Sequence, residues 1–329
     1  MNNMLPRPRF WAEAAAQIQT RRSLFGELMI YLLLTLLAYV GQALLISIPV
    51  SGWLVQSRSD SILEALEGGQ SIQGVILGLM EELPDWVTVI SLVSGVAMGV
   101  AAVIYCRKFQ KRSLSSMGLQ KKGWAVELLL GLVLGTALVT AVVALGSAVG
   151  GFRLVSSTPS TEHLGLLVLT LLGCLINGAS LELLTRCYFA PSIGARAPVS
   201  FALLFSTCAS ALMQAGGALF SLPVANHLLL GLLLGIWVLK RGNLWGACAL
   251  HSAWIFAENF LFDIAPAGEH GGIRLFEVDA DAFRTLLSGG AYGLSNSICT
   301  TIVLLAAVAA ALALKSRDTA PPEPENPEM

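Results

Sequence analysis

Four polar side chains stand inside otherwise apolar stretches and are the natural places to look for chemistry. Glu182 and Arg186 lie in SLELLTRCYF (residues 180–189), directly after the run LGLLVLTLLGCLING. Gln214 lies in SFALLFSTCASALMQAGG, and His251 lies in LWGACALHSAWIFAENFLF, followed by Glu258 and Asn259. A lone charge in lipid costs about 2.5–3.5 kcal/mol on insertion scales. A carboxylate and a guanidinium at i and i+4 share a helix face and neutralise each other. A buried carboxylate takes a proton from water when burial raises its pKa toward neutrality, and an imidazole holds that water or stabilises an oxyanion. His251 and Glu258 are seven apart and share a helix face, so the same residues also suit a transport path. Plainer roles stay open: an ion pair at a helix end, a histidine bonded to a backbone carbonyl, a glutamine gluing two helices, and Glu258 at the far interface.

The elements that must position these groups are membrane helices. The chain has 329 residues, 55% hydrophobic and 12% charged, against roughly 25% charged in soluble domains. That composition predicts an all-α polytopic membrane protein. A net charge of −1, with no basic patch interleaved with aromatics, argues against a nucleic-acid partner. The cysteines (106, 174, 187, 208, 248, 299) show no CxxC spacing and read as small hydrophobes. The histidines (163, 227, 251, 270) show no ligand spacing, so neither a metal nor a cofactor is expected. The start, MNNMLPRPRFWAEAAAQIQTRRSLFGELM, has no cleavable signal peptide, so the first membrane helix is expected to act as the insertion signal. The last residues, NPEM, carry no CaaX box.

Spanning helices need about 20 apolar residues. Eight runs qualify, near 28–50, 87–106, 125–150, 164–181, 198–219, 225–239, 244–262 and 292–314. With both termini in the cytoplasm, all lysines and arginines except Arg58, Arg153, Arg274 and Arg284 fall in cytoplasmic segments, Arg112 and Arg186 included. The other side keeps two long loops, 51–86 and 263–291, the first with short interfacial helices. Glu27 and Glu127 are expected at the interface, and the tail DTAPPEPENPEM is expected to be disordered. Glycine pairs at spacing four (95/99, 131/135, 231/235) predict close helix packing.

Three segments in order resemble the CPBP family, the CAAX protease and bacteriocin-processing membrane endopeptidases. RSLSSMGLQKKGWAVELLLGLVLG resembles the basic loop and Gly-spaced helix before that family's core. LELLTRCYFAPSIG resembles its glutamate–arginine motif. HLLLGLLLGIWVLKRGNLWGACALHSAWIF resembles its histidine-bearing third region, with Trp254 and Phe256 as flanks. The resemblance implies an intramembrane endopeptidase core over 107–262. This core follows a cytoplasmic segment (1–27) and two helices (28–106); a loop with a last helix (263–314) and a tail (315–329) complete the chain. It also implies that Glu182 and Arg186 match the motif's second glutamate and its arginine, and that His251 matches the third-motif histidine. Leu181 stands where the water-activating glutamate belongs, Cys187 where glycine is usual, Gln214 where the partner histidine belongs, and Ile255 where the oxyanion asparagine belongs. Arg186, Trp254 and Glu258 are expected to support the site. The implied protein resides in the cell membrane and holds a membrane-anchored or hydrophobic peptide, or a partner protein, within the lipid bilayer, with catalysis impaired or lost. A divergent peptidase using Glu182 and His251, or a small transporter, are the alternatives.

Overall fold

The computed structural model describes residues 5–18, 22–81, 83–156, 164–214, 221–264 and 274–317. A short amphipathic helix, α1 (Arg9–Gln17), buries Phe10, Trp11 and Ala14. Ser23 then caps α2 (Leu24–Ser57) by accepting the Gly26 N–H. At 1.5 Å per residue its 34 residues span about 50 Å, well beyond a hydrocarbon core of about 30 Å. The loop that follows holds α3 (Ser59–Glu67) and α4 (Ile72–Glu81), short helices where short helices were expected. Helices α5 (Asp85–Ser94) and α6 (Val96–Ile104), with a π turn at Tyr105–Phe109, make one apolar span.

Next come α7 (Trp124–Ala148), strand β1 (Phe152–Ser156) and α8 (Leu164–Glu182). A second π turn, Leu183–Phe189, carries α8 into α9 (Ala190–Gly194). Then follow α10 (Val199–Gln214), α11 (Leu222–Arg241) and α12 (Trp245–Phe256), the last extended by a third π turn at Ala257–Leu261. Strand β2 (Glu277–Ala280), α13 (Thr285–Ser288), a 3₁₀ segment at Gly290–Asn296 and α14 (Ile298–Ala313) complete the chain. Among the described residues five helices are long and apolar enough to cross a membrane, and Val199–Gln214 and Ile298–Ala313 are shorter apolar helices. Over the described residues each of the eight expected runs is largely helical, and the protein is an integral, polytopic, all-α membrane protein.

The structure amends several expectations. The fourth span does not stop at 181; it runs Leu164–Gly194 through the π turn. Glu182 and Arg186 neutralise one another, so the helix continues where charges usually mark an end. Arg186 is therefore inside the bundle rather than in a loop. Arg112 is wholly buried, as is Glu27. Glu27 accepts the Tyr188 hydroxyl at 3.0 Å and lies 3.6 Å from Arg196. A small antiparallel sheet was not expected. Phe152 pairs with Ala280 and Leu154 with Val278, tying the α7–α8 connection to the chain after α12. The Pro- and Glu-rich tail, 318–329, lies outside the described residues.

The opposite end of the bundle gathers the basic segments. Arg317 donates its backbone N–H to Lys240, and Leu244 donates to Gly118. Arg7 donates to the Gly194 carbonyl at 3.0 Å, and Phe10 packs on Gly118. Arg241 holds Glu127 through two N–H groups, Nε at 3.0 Å, and lies over the Trp237 ring. The N-terminal helix and residues 315–317 thus meet on one face, as an even number of crossings requires.

The glycine pairs pack helices, as their spacing predicts. A Cβ on Gly131 would stand 2.3 Å from the Gly246 carbonyl oxygen, and one on Gly135 would stand 2.4 Å from that of Leu250. Helices α7 and α12 therefore touch backbone to backbone. Gly131→Ala is expected to cost about 1–3 kcal/mol, because backbone cannot give way as a side-chain tip can. Denaturant titration of the purified protein would check this against Gly165→Ala, a position with nothing within 4 Å of an added Cβ.

Candidate functional site

The site begins with another glycine. A Cβ on Gly178 would stand 2.5 Å from Ser252 Oγ, so α8 and α12 approach closely one turn before Glu182. Glu182 is the last residue of α8 before the π turn. Single π turns widen a helix locally and recur at functional sites. Here the wide turn is supported from α2, where Tyr31 stacks on Phe189 at 4.3 Å between ring centroids.

Glu182 Oε1 accepts two bonds. His251 Nδ1 lies 2.8 Å away and Arg186 Nη1 lies 3.2 Å away. All three side chains are buried. Arg186 also donates Nη2 to the Gly231 carbonyl at 2.9 Å. A Cβ on Gly231 would meet the Thr207 methyl at 2.8 Å and Arg186 Nη2 at 3.0 Å. Gly231 thus admits the guanidinium as well as the neighbouring helix. With the carboxylate ionised, Arg186 balances its charge and Nδ1 of His251 carries the proton it donates. Nε2 of the imidazole is then left as an acceptor, the arrangement that an orienting carboxylate imposes on a working histidine.

Beside His251 lies a narrow pocket of about 20 Å³, lined by Tyr31, Leu181, Arg186, Ser210, Gln214 and their neighbours. That volume suits about one water. Glu182 is not in its lining but is bonded to two residues that are, His251 and Arg186, while Leu181 lines it directly. Gln214, at the C-terminal end of α10, turns its amide back onto the Ser210 carbonyl at 3.1 Å. The structure thus brings Leu181, Arg186, Gln214 and His251 to one pocket, with Glu182 bonded to two of them. Ile255 is not part of it. It packs in a separate cluster with Leu167, Cys174 and Phe260.

Trp254 and Glu258 lie further along α12. Trp254 Nε1 donates to Glu258 Oε2 at 3.0 Å, and the Leu294 N–H donates to Oε1 at 3.1 Å. Glu258 therefore fastens the 3₁₀ segment before α14 to the core. Glu258→Ala is expected to cost about 1–3 kcal/mol through these orphaned donors, read as a lower unfolding midpoint. Among the described residues no cluster of three or more His, Cys, Asp or Glu is placed to hold a metal.

Residues 163–257, from the start of α8 through α12, match the family model described as Rce1-like, type II CAAX prenyl endopeptidase. The match is consistent with the resemblance to a CPBP-type core. The match takes in the glutamate–arginine segment, α10 and the helix that bears His251, and leaves out the basic segment Arg112–Gly135. Comparison with curated proteins and with solved structures finds no match to either.

Sequence reasoning missed three contributors to this core. Tyr31 and Thr35 reach the pocket from α2, far outside the motifs. The π turn has no residue signature. Buried Arg112 donates to the Cys187 carbonyl at 2.9 Å, bracing the far end of that turn. A charged residue in the loop RKFQKRS gives no sign that one arginine of several goes inside.

Proposed function

We propose that the protein is a CAAX-protease-like membrane protein that binds a membrane-anchored or hydrophobic peptide, or a partner's membrane segment, with the family's hydrolysis impaired or lost. One observation carries this reading: Leu181 lines the water-sized pocket at the position where the resemblance calls for a base, while Glu182 is outside the lining and is bonded to His251 Nδ1. Two neighbours support it. Gln214 is no base at any useful pH, and Ile255 is turned to another cluster. The pocket rim is suited to a ligand arriving through lipid, since Tyr39 of α2 and Gln214 of α10 both line the pocket and remain exposed on the bundle. In this reading the basic end faces the cytoplasm of the cell membrane.

A farnesylated peptide carrying a photoactivatable group tests the reading. It should crosslink to residues 31–39 or 210–214 of the native protein and be recovered uncut. Leu181→Trp, which fills the pocket, should abolish the crosslink. Absence of crosslinking at that rim would overturn binding; cleavage by the native protein would overturn the loss of catalysis.

The 2.8 Å bond between Glu182 and His251 favours a second reading, a divergent peptidase in which His251 Nε2 is the base and Glu182 orients it. Cleavage lost in both His251→Ala and Glu182→Gln, with folding intact, would select that reading.

A further inference from the structure

The outer side of α8 carries a groove that the candidate pocket does not use. It holds about 250 Å³ between α6 on one side and Ser180 and Leu183 on the other. Gly99 forms its floor: a Cβ there would stand 2.7 Å from Ser180 Oγ, so the two elements touch beneath the groove. Val96, Val100 and Ile104 line it and remain exposed. Ser180 and Leu183 flank Leu181 and Glu182 in the sequence, so the groove and the candidate pocket share one turn of chain.

The residues that α6 gives to the groove, Val96, Gly99, Val100, Val103 and Ile104, recur every three or four positions or beside one another, which is one face of a helix. The next positions in that series are Arg107 and Lys108, both exposed and both at the basic end of the bundle. Arg107 donates to the Arg112 carbonyl at 2.8 Å, a bond that braces the loop and leaves the charge uncancelled. Between Asp85 and Glu127 the sequence has no acid, and Glu127 is held by Arg241. Phe109, exposed beside the two cations and stacked on Tyr105, marks the membrane interface. From Val96 to Ile104 the helix rises about 12 Å, so 250 Å³ spread along it leaves a section of about 20 Å². One hydrocarbon chain fits such a section; a partner helix, about 10–12 Å across with its side chains, does not.

An apolar groove that leads to exposed cations at the membrane surface complements an amphiphile with a hydrocarbon tail and an anionic head. Basic pockets between membrane helices on the cytoplasmic side take lipid headgroups in this way. We propose that the groove is a binding site for an anionic glycerophospholipid, with one acyl chain along Val96–Ile104 and the phosphate at Arg107 and Lys108. Bound there, the lipid packs against Ser180 and Leu183 and steadies the turn of α8 that carries Leu181 and Glu182. This inference concerns lipid and stands apart from whether a peptide is bound or cut.

Native mass spectrometry of the delipidated full chain tests it, with phosphatidylglycerol and phosphatidylcholine of identical acyl chains titrated separately. Phosphatidylglycerol should bind about tenfold more tightly or better, as two cations at the headgroup imply. Lys108→Gln should weaken phosphatidylglycerol about fivefold, the share of one cation, and leave phosphatidylcholine unchanged. Val100→Trp, which fills the groove, should weaken both lipids. Val103→Phe serves if Val100→Trp does not fold, and circular dichroism checks each variant. Phosphatidylglycerol with a diazirine in its acyl chain should label residues 96–104 or 180–183 of the native protein. Equal affinity for the two lipids, native affinity in the folded groove and Lys108 variants, or labelling only elsewhere would overturn the site. No peptide enters these measurements, so failure here leaves the proposed function standing, and the reverse.

Discussion

Glu182→Ala is expected to destabilise the protein by about 3–5 kcal/mol, the cost of breaking one partner out of a buried ion pair. Arg186 would keep its charge at 3% exposure with only the Gly231 carbonyl in reach, and His251 Nδ1 would lose its acceptor. The loss should appear as a lower unfolding midpoint in detergent or nanodiscs. Glu182→Gln should fall between native and Glu182→Ala, since its amide oxygen still accepts but carries no charge. The double variant Glu182→Leu/Arg186→Met should recover part of the loss, because an apolar pair of similar size leaves no charge stranded. If Glu182→Ala unfolds like native, the carboxylate is not the keystone of α8, α11 and α12 that the geometry makes it.

The broad architecture was legible because membrane insertion writes it into composition. Over the described residues every expected apolar run is largely helical, and the glycine pairs sit where helices pack closely. The end of the fourth span was not legible. The i,i+4 spacing of Glu182 and Arg186 shows that they can neutralise each other, but nothing in SLELLTRCYF announces the π turn that carries the chain on to Gly194. The β1–β2 pair was hidden for a different reason: FRLVS and EVDA are too short to carry a strand period, and they lie far apart in sequence.

Within the site, the structure places three of the positions aligned by the resemblance, His251, Gln214 and Leu181, on one pocket, and Ile255 away from it. Four residues on a helix advance about 400°, so Ile255 is turned some 40° from His251, enough here to seat it against Leu167 and Cys174 instead. A contribution from α2, through Tyr31 and Thr35, required the tertiary fold and could not be read from motifs.

The second large effect concerns chemistry. Leu181 is half-buried in the lining of the pocket, and Gln214 lines it from α10. Leu181→Glu together with Gln214→His puts a carboxylate and an imidazole on the one-water pocket while leaving the Glu182–His251 bond in place. General acid–base groups contribute about 10²–10⁴ in rate, so the double variant should cut a membrane-anchored peptide that much faster than the native protein. Ile255→Asn is left out, because that side chain does not reach the pocket.

The most direct test is therefore a side-by-side assay in liposomes. A farnesylated peptide is incubated with the native protein, with Leu181→Glu/Gln214→His, and with the same pair carrying His251→Ala, and products are read by mass spectrometry. The account predicts intact peptide with the native protein, cleavage with the double variant, and intact peptide again once His251 is removed. Turnover by the native protein would contradict it, and would mean that the residues already present suffice for hydrolysis.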